Sequence, residues 1–246
     1  MTFSHSNIIE LNSVDSTNNY AMNQIDAGLA GHGYAVMALS QTSGKGQRGR
    51  IWQDEPGKSL LMSLVVAPKF SLDHQFLFNA TITVAIAKVL QKSVPGAVVN
   101  IKWPNDIIIN DKKTAGILIE NVLRGANWNF SVIGLGVNVF QESFPDILPH
   151  ATSLKLNRGA IADLKILAED IRTAILAAHD NYPTHDSIMA QYNSFLFRKN
   201  EFQRFSKNGL EHSAKILEAT GKGTLKVIAP DGTTTEYIHG DFTWEY

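Results

Sequence analysis

Apolar positions along this chain follow two rhythms, and the alternation between them lays out the elements. Short aliphatic and β-branched runs bounded by turn residues predict strands at residues 7–11, at 34–41 ("YAVMALSQ") and in "SLLMSLVVAP" after Pro56 and Gly57. Between the first two, "DSTNNYAMNQIDAG" reads as a helix that Ser16 or Thr17 caps and Gly28 ends. A second helix fits 73–94, where apolar residues occupy most sides and burial all round is expected. Strands then dominate. "VVNIKW", "DIIIN", "AGILIENVL" and "NFSVIGLGVNVF" are rich in β-branched residues, with "DKK" at 111–113 as the tight turn of a hairpin. Two more helices are predicted at 163–181 and 186–197. From there the pattern shifts to short strands, "EFQRF", "HSAKILEAT", "GTLKVIA" and "TTEYIHGDF", joined by polar glycine turns at barrel-like spacing.

The expected fold class is α/β in the α+β sense: a mixed β-sheet with flanking helices over 1–198, then a small C-terminal β-barrel over 199–246. A chain of 246 residues, 44% of them hydrophobic, can bury cores of that size. Lys and Arg number 22 against 23 Asp and Glu, which gives no general attraction to nucleic acid or to an anionic membrane. Any anion site must therefore be local. The absence of cysteine excludes disulfides, thiolate metal sites and Cys nucleophiles. The N-terminus lacks the charged-then-apolar order of an export signal, and no run of about eighteen apolar residues occurs, so a soluble cytoplasmic protein is expected.

Candidate chemistry begins at "SGKGQRGRIW", residues 43–52, where Gly44 to Gly49 spell G-x-G-x-x-G. A dinucleotide fingerprint needs a helix after that turn, and Pro56 and Gly57 forbid one. "GKS" at 57–59 is no phosphate loop either, because Trp52 stands where that motif needs glycine. A basic glycine loop remains. Further on, "IKWPNDIIINDKKTAGILIE" gathers Lys102, Asn105, Asp106 and Lys113 around strand ends, with Pro104 interrupting the pairing. That patch suits a phosphate and its magnesium, and equally a polar hairpin with a solvated lysine. "DSTN" at 15–18 reads as a helix cap or a polar binding edge, and "GLGVN" at 134–138 as a strand whose glycines admit a ligand or another strand. Trp52 suits a core as well as a nucleobase platform. The eight histidines show no metal-ligand spacing.

Taken in order, "DSTN", "QTSGKGQRGRIW", "KWPND", "KKTAGIL" and "GLGVN" resemble the biotin protein ligases in their short form, and the β-rich tail resembles that family's C-terminal SH3-type barrel. The resemblance spans nearly the whole chain. It implies a class II synthetase-like catalytic domain that uses ATP and biotin as substrates, with Mg2+ and no tightly bound prosthetic group. The carboxylate of biotin would attack the α-phosphorus of ATP to give biotinyl-5′-AMP and pyrophosphate. A lysine of a biotin carboxyl carrier protein or domain would then attack the acyl carbon. By motif position, Ser16, Thr17, Asn18, Gln41, Gly44, Lys45, Gly46, Gln47, Lys113, Gly116 and Ile117 would bind biotin. Arg48, Arg50, Trp52, Lys102, Asn105 and Asn138 would bind ATP. Asp106 would hold the metal, and Lys113, Arg48 and Arg50 would be the catalytic cations.

The resemblance also implies pairing of two copies through sheet edges. Longer relatives carry a DNA-reading segment, whereas here "DSTN" begins fifteen residues in, so no nucleic-acid partner and no repressor role is expected. One departure stands out: Gln47 occupies a position where many family members have Arg. A lipoate ligase of the same fold and a non-catalytic biotin-binding module remain as alternative readings.

Overall fold

The structure is a computed structural model that describes residues 8–161, 163–207 and 209–245. Its first half alternates β1 (Ile8–Leu11), α1 (Thr17–Asp26), β2 (Ala35–Ala38), β3 (Ser59–Val66) and α2 (Gln75–Ser93). Four strands follow, β4 (Val99–Lys102), β5 (Asp106–Ile109), β6 (Lys112–Arg124) and β7 (Asn127–Asn138), and then α3 (Leu164–Asp180) and α4 (His185–Ser194). These strands form one seven-stranded sheet in the order β1-β2-β3-β7-β6-β5-β4, with β1–β2 parallel and the other pairs antiparallel. The sheet is mixed and helix-flanked, as the periodicity predicts. The first strand starts at Ile8, and residue 7 of the expected range lies outside the described residues.

Strand alternation divides the sheet into two faces. Leu60, Met62, Leu64 and Val66 of β3 join Ile133, Leu135 and Val137 of β7 and Ala115 and Ile117 of β6 in the main apolar cluster, with α2 and α3. α2 is buried around most of its circumference because the sheet, α3 and α4 all meet it. On the other face, Val36, Val65 and Val132 pack against Ala21 and Ile25 of α1. α1 is short and covers only one end of that face. The uncovered remainder is a cleft.

The tail forms a second, five-stranded antiparallel sheet from β8 (Phe202–Lys207), β9 (Leu210–Ala219), β10 (Leu225–Ile228), β11 (Thr234–Tyr237) and β12 (Thr243–Glu245), in the order β11-β10-β9-β8-β12. It is the kind of sheet expected of a small SH3-like domain. Phe205, Ile216 and Leu225 from it belong to the same apolar cluster as the large sheet. A polar clamp adds to that contact: buried Asn193 of α4 donates to Ala219 O at 2.9 Å and accepts from Ala219 N at 2.7 Å. Such bonds contribute about 0.5–1.5 kcal/mol each.

Several boundaries depart from the sequence pattern for local reasons. The second strand ends at Ala38, and Gln41 sits past it in a bridge with Val14. The β5–β6 turn centres on Asn110 and Asp111, at φ 48° and 66°, one residue before the expected "DKK". Asn and Asp tolerate that left-handed conformation better than Lys, which starts β6 instead. α4 stops at Ser194 because the next residues run along β4: Ile101 N donates to Phe195 O at 2.7 Å and Phe197 N to Ile101 O at 2.9 Å. "TTEYIHGDF" is a strand only to Tyr237; the chain turns through Gly240 at φ 91° and returns as β12 beside β8. Among the described residues no helix is long and apolar enough to cross a membrane.

Candidate active site

The uncovered sheet face forms the floor of a cavity of about 1110 Å³. Its centre is built from glycines that face each other across strands, Gly116 of β6 opposite Gly136 of β7, and Gly134 opposite Leu118. Their missing side chains are filled by neighbours. A Cβ on Gly134 would come within 2.4 Å of Asn18 Oδ1, and one on Gly136 within 2.5 Å of the Trp52 ring. A Cβ on Gly116 would lie 3.1 Å from the same ring. The two-residue spacing in "GLGVN" thus places one helix-borne amide and one indole flat on the sheet.

Asn18 belongs to a polar wall where α1 begins. Ser16, Thr17 and Asn18 are all buried. Thr17 N donates to Gln41 Oε1 at 2.8 Å, and Thr17 Oγ1 lies 3.1 Å from the same oxygen. Ser63 of β3, fully buried, places its hydroxyl 2.8 Å from Thr17 Oγ1 and 2.6 Å from Asn18 Oδ1. Asn18 Nδ2 donates to Glu120 Oε2 of β6 at 2.6 Å. The sequence reading assigns no role to Ser63 or Glu120. Ser63 of β3 pairs with Gly134 of β7 and Glu120 of β6 pairs with Val132, two residues along the same face, a relation that only the sheet register reveals.

Lys113 reaches this face through a bulge. Ile107 pairs with Ala115 but Ile108 pairs with Lys113, so Thr114 is an extra residue in β6. Regular alternation would send Lys113 to the core side with Ala115 and Ile117. The insertion turns it over, and a Cβ on Gly116 would lie 3.4 Å from its Nζ. Hydrogen bonds from Lys113 N to His150 O (2.6 Å) and from Thr152 N to Lys113 O (2.9 Å) fix the strand there. The ammonium pairs with Asp106 Oδ1 at 2.8 Å and lies 5.9 Å from the Trp52 ring centroid. Asn105 and Asn138, both buried, anchor the rim by donating to Ile117 O and, at 3.1 Å, to Thr152 O.

The glycine loop is a small hairpin. Trp52 N donates to Gly44 O at 3.0 Å, Gly46 N donates to Arg50 O at 2.7 Å, and Gln47–Gly49 form one tight turn. Its cations reach in different directions. Lys45 donates to Asn19 Oδ1 of α1 at 2.5 Å. Arg48, left-handed at φ 57°, donates to the carbonyls of His239 (2.8 Å) and Gly240 (3.0 Å) in the C-terminal sheet's last turn. Gly240 is needed there, since a Cβ would overlap the guanidinium. Lys102 lies 5.1 Å from the Trp244 ring centroid, and burial, aided by Lys113 and Arg50, pushes its pKa down to about 8 against the opposing pull of Asp106. Burial followed by the nearby Arg48 lowers His239 as well.

Every site residue expected from the sequence lines this cavity except Gly44. Gly44 is buried beneath the loop, where a Cβ would meet Trp52 O at 2.7 Å, so it acts as a spacer. Two walls have no signal in the motifs: residues 144 and 147–151, and the C-terminal turn with His239, Phe242 and Trp244. The lining holds six Lys and Arg side chains and two Asp, a local excess of positive charge in a chain of net charge −1. Elsewhere, His32, His179 and Asp180 offer ligand atoms within 4.8 Å of one another. Ala67 N donates to His32 Nδ1 at 3.1 Å, which leaves the ring proton on Nε2, and Lys69 holds Asp180 at 2.7 Å. Two of its three members are thus already engaged.

A model of the Biotin/lipoate A/B protein ligase family matches residues 10–138. Among curated proteins, the "Bifunctional ligase/repressor BirA" of Bacillus subtilis is 35% identical over 159 residues, covering 63% of this chain and 49% of that protein. The "Biotin--[acetyl-CoA-carboxylase] ligase" of Paracoccus denitrificans is 34% identical over 126 residues, 51% of each. The chain spans about half the length of these curated relatives. Among solved structures, the Aquifex aeolicus biotin protein ligase in complex with biotin and ATP superposes with a TM-score of 0.79 at 23% identity, over 98% of this chain and 99% of that one. The Leishmania major biotin protein ligase in complex with biotinyl-5-AMP gives 0.67 at 24% identity, over 95% and 99%. Both likenesses concern the fold.

Proposed function

This chain belongs to the biotin/lipoate A/B protein ligase family, and from that premise we propose that it is an ATP-dependent ligase that activates biotin as biotinyl-5′-AMP and passes the biotinyl group to a carrier lysine. One observation carries the choice. A single cavity joins a neutral hydrogen-bonding wall (Thr17, Asn18, Gln41) to a cation-rich end (Lys113, Lys102, Arg48, Arg50) across a glycine floor. A ligand with an uncharged polar ring, an apolar middle and a carboxylate matches that order, and biotin has it. Lipoate offers a dithiolane, which cannot use the polar wall.

The chemistry needs two anions brought together, so positioning and positive charge dominate the first step. In this reading Lys113 neutralises the biotin carboxylate as one of its oxygens attacks the α-phosphorus. The α-phosphorus–oxygen bond to pyrophosphate breaks, and pyrophosphate leaves. Lys102 and Arg50 take the phosphates, and Trp52 borders the junction between the two substrates. A carrier amine then attacks the acyl carbon and AMP departs, so no enzyme nucleophile is needed. Asp106 offers one carboxylate, partly engaged by Lys113, which fits a Mg2+ that takes its other ligands from phosphate oxygens and water. Bound there, the ion would neutralise phosphate charge.

The partner in this reading is a biotin carrier protein or domain. Residues 199–246 act as a distinct small domain whose last turn closes the nucleotide end. Biotin-dependent exchange of labelled pyrophosphate into ATP tests the assignment. Exchange with biotin is expected; exchange with lipoate alone would transfer the chain to the lipoate branch, and none with either would make it a binding module.

A further inference from the structure

The polar wall contains too few hydrogens for its contacts, and Glu120 is the cause. Three oxygen–oxygen contacts run in series: Asn18 Oδ1 to Ser63 Oγ (2.6 Å), Ser63 Oγ to Thr17 Oγ1 (2.8 Å), and Thr17 Oγ1 to Gln41 Oε1 (3.1 Å). Each needs one hydrogen. Only two hydroxyl hydrogens are available, because an amide oxygen accepts and never donates. If the two shortest contacts take them, Ser63 donates to Asn18 and Thr17 to Ser63, and the longest, Thr17–Gln41 at 3.1 Å, is left without a hydrogen. Gln41 Oε1 keeps only the backbone N–H of Thr17.

Turning the Asn18 amide over would cure the shortage. Its Nδ2 would then face Ser63, and three hydrogens would serve three contacts. Glu120 forbids this, with the Leu118 carbonyl, 3.5 Å from Asn18 Nδ2, as a weaker second acceptor. Its carboxylate receives Asn18 Nδ2 at 2.6 Å, and the turned amide would set oxygen against that acceptor. Glu120 does not line the cavity. Asn18 itself is nearly fully buried, so no solvent hydrogen can substitute at that contact.

Resting on the biotin reading above, we infer that Glu120 is a positioning residue that locks the Asn18 amide so that Thr17 Oγ1 and Gln41 Oε1 present hydrogen-poor acceptors to the cavity, selecting a ligand that brings an N–H donor. A cyclic urea supplies one; a dithiolane or a thioether does not. The selectivity therefore lies in hydrogen-bond polarity. Shape alone does not provide it.

The test uses three variants of the full chain and biotin as probe, read by calorimetry and by pyrophosphate exchange. Glu120→Gln lets the turned amide pair with the new side-chain NH2, so the wall satisfies itself and biotin affinity should fall on the order of tenfold. The effect should be in KM for biotin, with kcat within about twofold, because the reacting end is untouched. Asn18→Asp should bind worse, since two carboxylates then face each other. In Asn18→Asp/Glu120→Gln one carboxylate oxygen again faces Ser63 while the introduced amide donates to the other, and affinity should recover severalfold over either single variant. A double variant no tighter than Glu120→Gln would overturn the locking role, as would unchanged affinity in Glu120→Gln. Failure of the unaltered protein to bind biotin would instead overturn the functional reading, and this inference with it.

Discussion

Lys113→Ala should abolish most adenylation while leaving the fold in place. The side chain is about one-third exposed and contacts Asp106 Oδ1 at 2.8 Å. At an effective dielectric of about 20, one charge pair at roughly 3 Å is worth about 5 kcal/mol before desolvation. Much of that acts on bound substrates and on the transition state alike. Only the part that grows as carboxylate and α-phosphate converge accelerates the step, and losses of about 2.7–4 kcal/mol, a hundredfold or more, are typical for one such donor. The substitution also takes from Asp106 its 2.8 Å ion-pair partner where anions must enter, leaving the attraction of Lys102.

The two effects can be separated. Asp106→Asn in the Lys113→Ala background removes the stranded charge and should recover roughly fivefold in biotin affinity measured without ATP, while adenylation stays low because both the cation and the carboxylate proposed to hold the metal are then missing. Single-turnover formation of biotinyl-5′-AMP is the assay, with transfer from supplied adenylate as the control. Transfer should fall much less, because only one anion is then handled. Adenylation by Lys113→Ala within about threefold of the unaltered protein would refute the reasoning.

The geometry of the cavity sets two other expectations. Gly136→Ala puts a Cβ within 2.5 Å of the Trp52 ring; overpacking costs of roughly 1–3 kcal/mol should appear as lower biotin affinity and altered tryptophan fluorescence, and unchanged values for both would contradict the glycine-floor account. Lys102, with its pKa pushed down to about 8, is charged below that pH and neutral above it, and a bound phosphate favours the charged form. ATP affinity should therefore decline as pH rises through about 8, with proton uptake on binding there, seen by calorimetry in buffers of different ionisation enthalpy; Lys102→Met should remove both.

The motifs were legible where function reduces to local backbone need. Gly134 and Gly136 sit two apart in a β-branched run, so they share a face, and that spacing alone marks a site of close approach. "DSTN" before a helical period marks the helix start that carries the polar wall. Lys113 was legible as a residue type, but its direction was not: an unbulged strand would bury it, and nothing in "NDKKTAGIL" announces that Thr114 is the extra residue. Ser63 and Glu120 look like ordinary strand residues because their role depends on the register that sets them beside Gly134 and Val132 of β7. The C-terminal turn meets Arg48 across about 190 positions, a contact that no local pattern encodes. Gly44 is the opposite case. It belongs to the motif string yet serves the hairpin's packing, outside the cavity.

Four of the six cations that line the cavity are engaged in the resting protein, and this shapes the proposed mechanism. Lys113 holds Asp106, Lys45 holds Asn19, Arg48 holds two carbonyls of the last turn, and Lys102 lies against Trp244. Cations gathered in one partly buried cavity lose hydration and repel each other; burial first, then Lys113 and Arg50, lowers the pKa of Lys102 to about 8. Internal partners stabilise the charges until substrates arrive, and substrate binding then becomes an exchange of partners. In the proposed reading the gain on binding is the difference between new and old contacts, so affinity for either anion alone should be modest. Arg48 adds a structural consequence: moving it onto a phosphate releases the loop from His239 and Gly240. The resting contacts thus couple loop position to the C-terminal turn through one guanidinium, and that transfer would uncouple them.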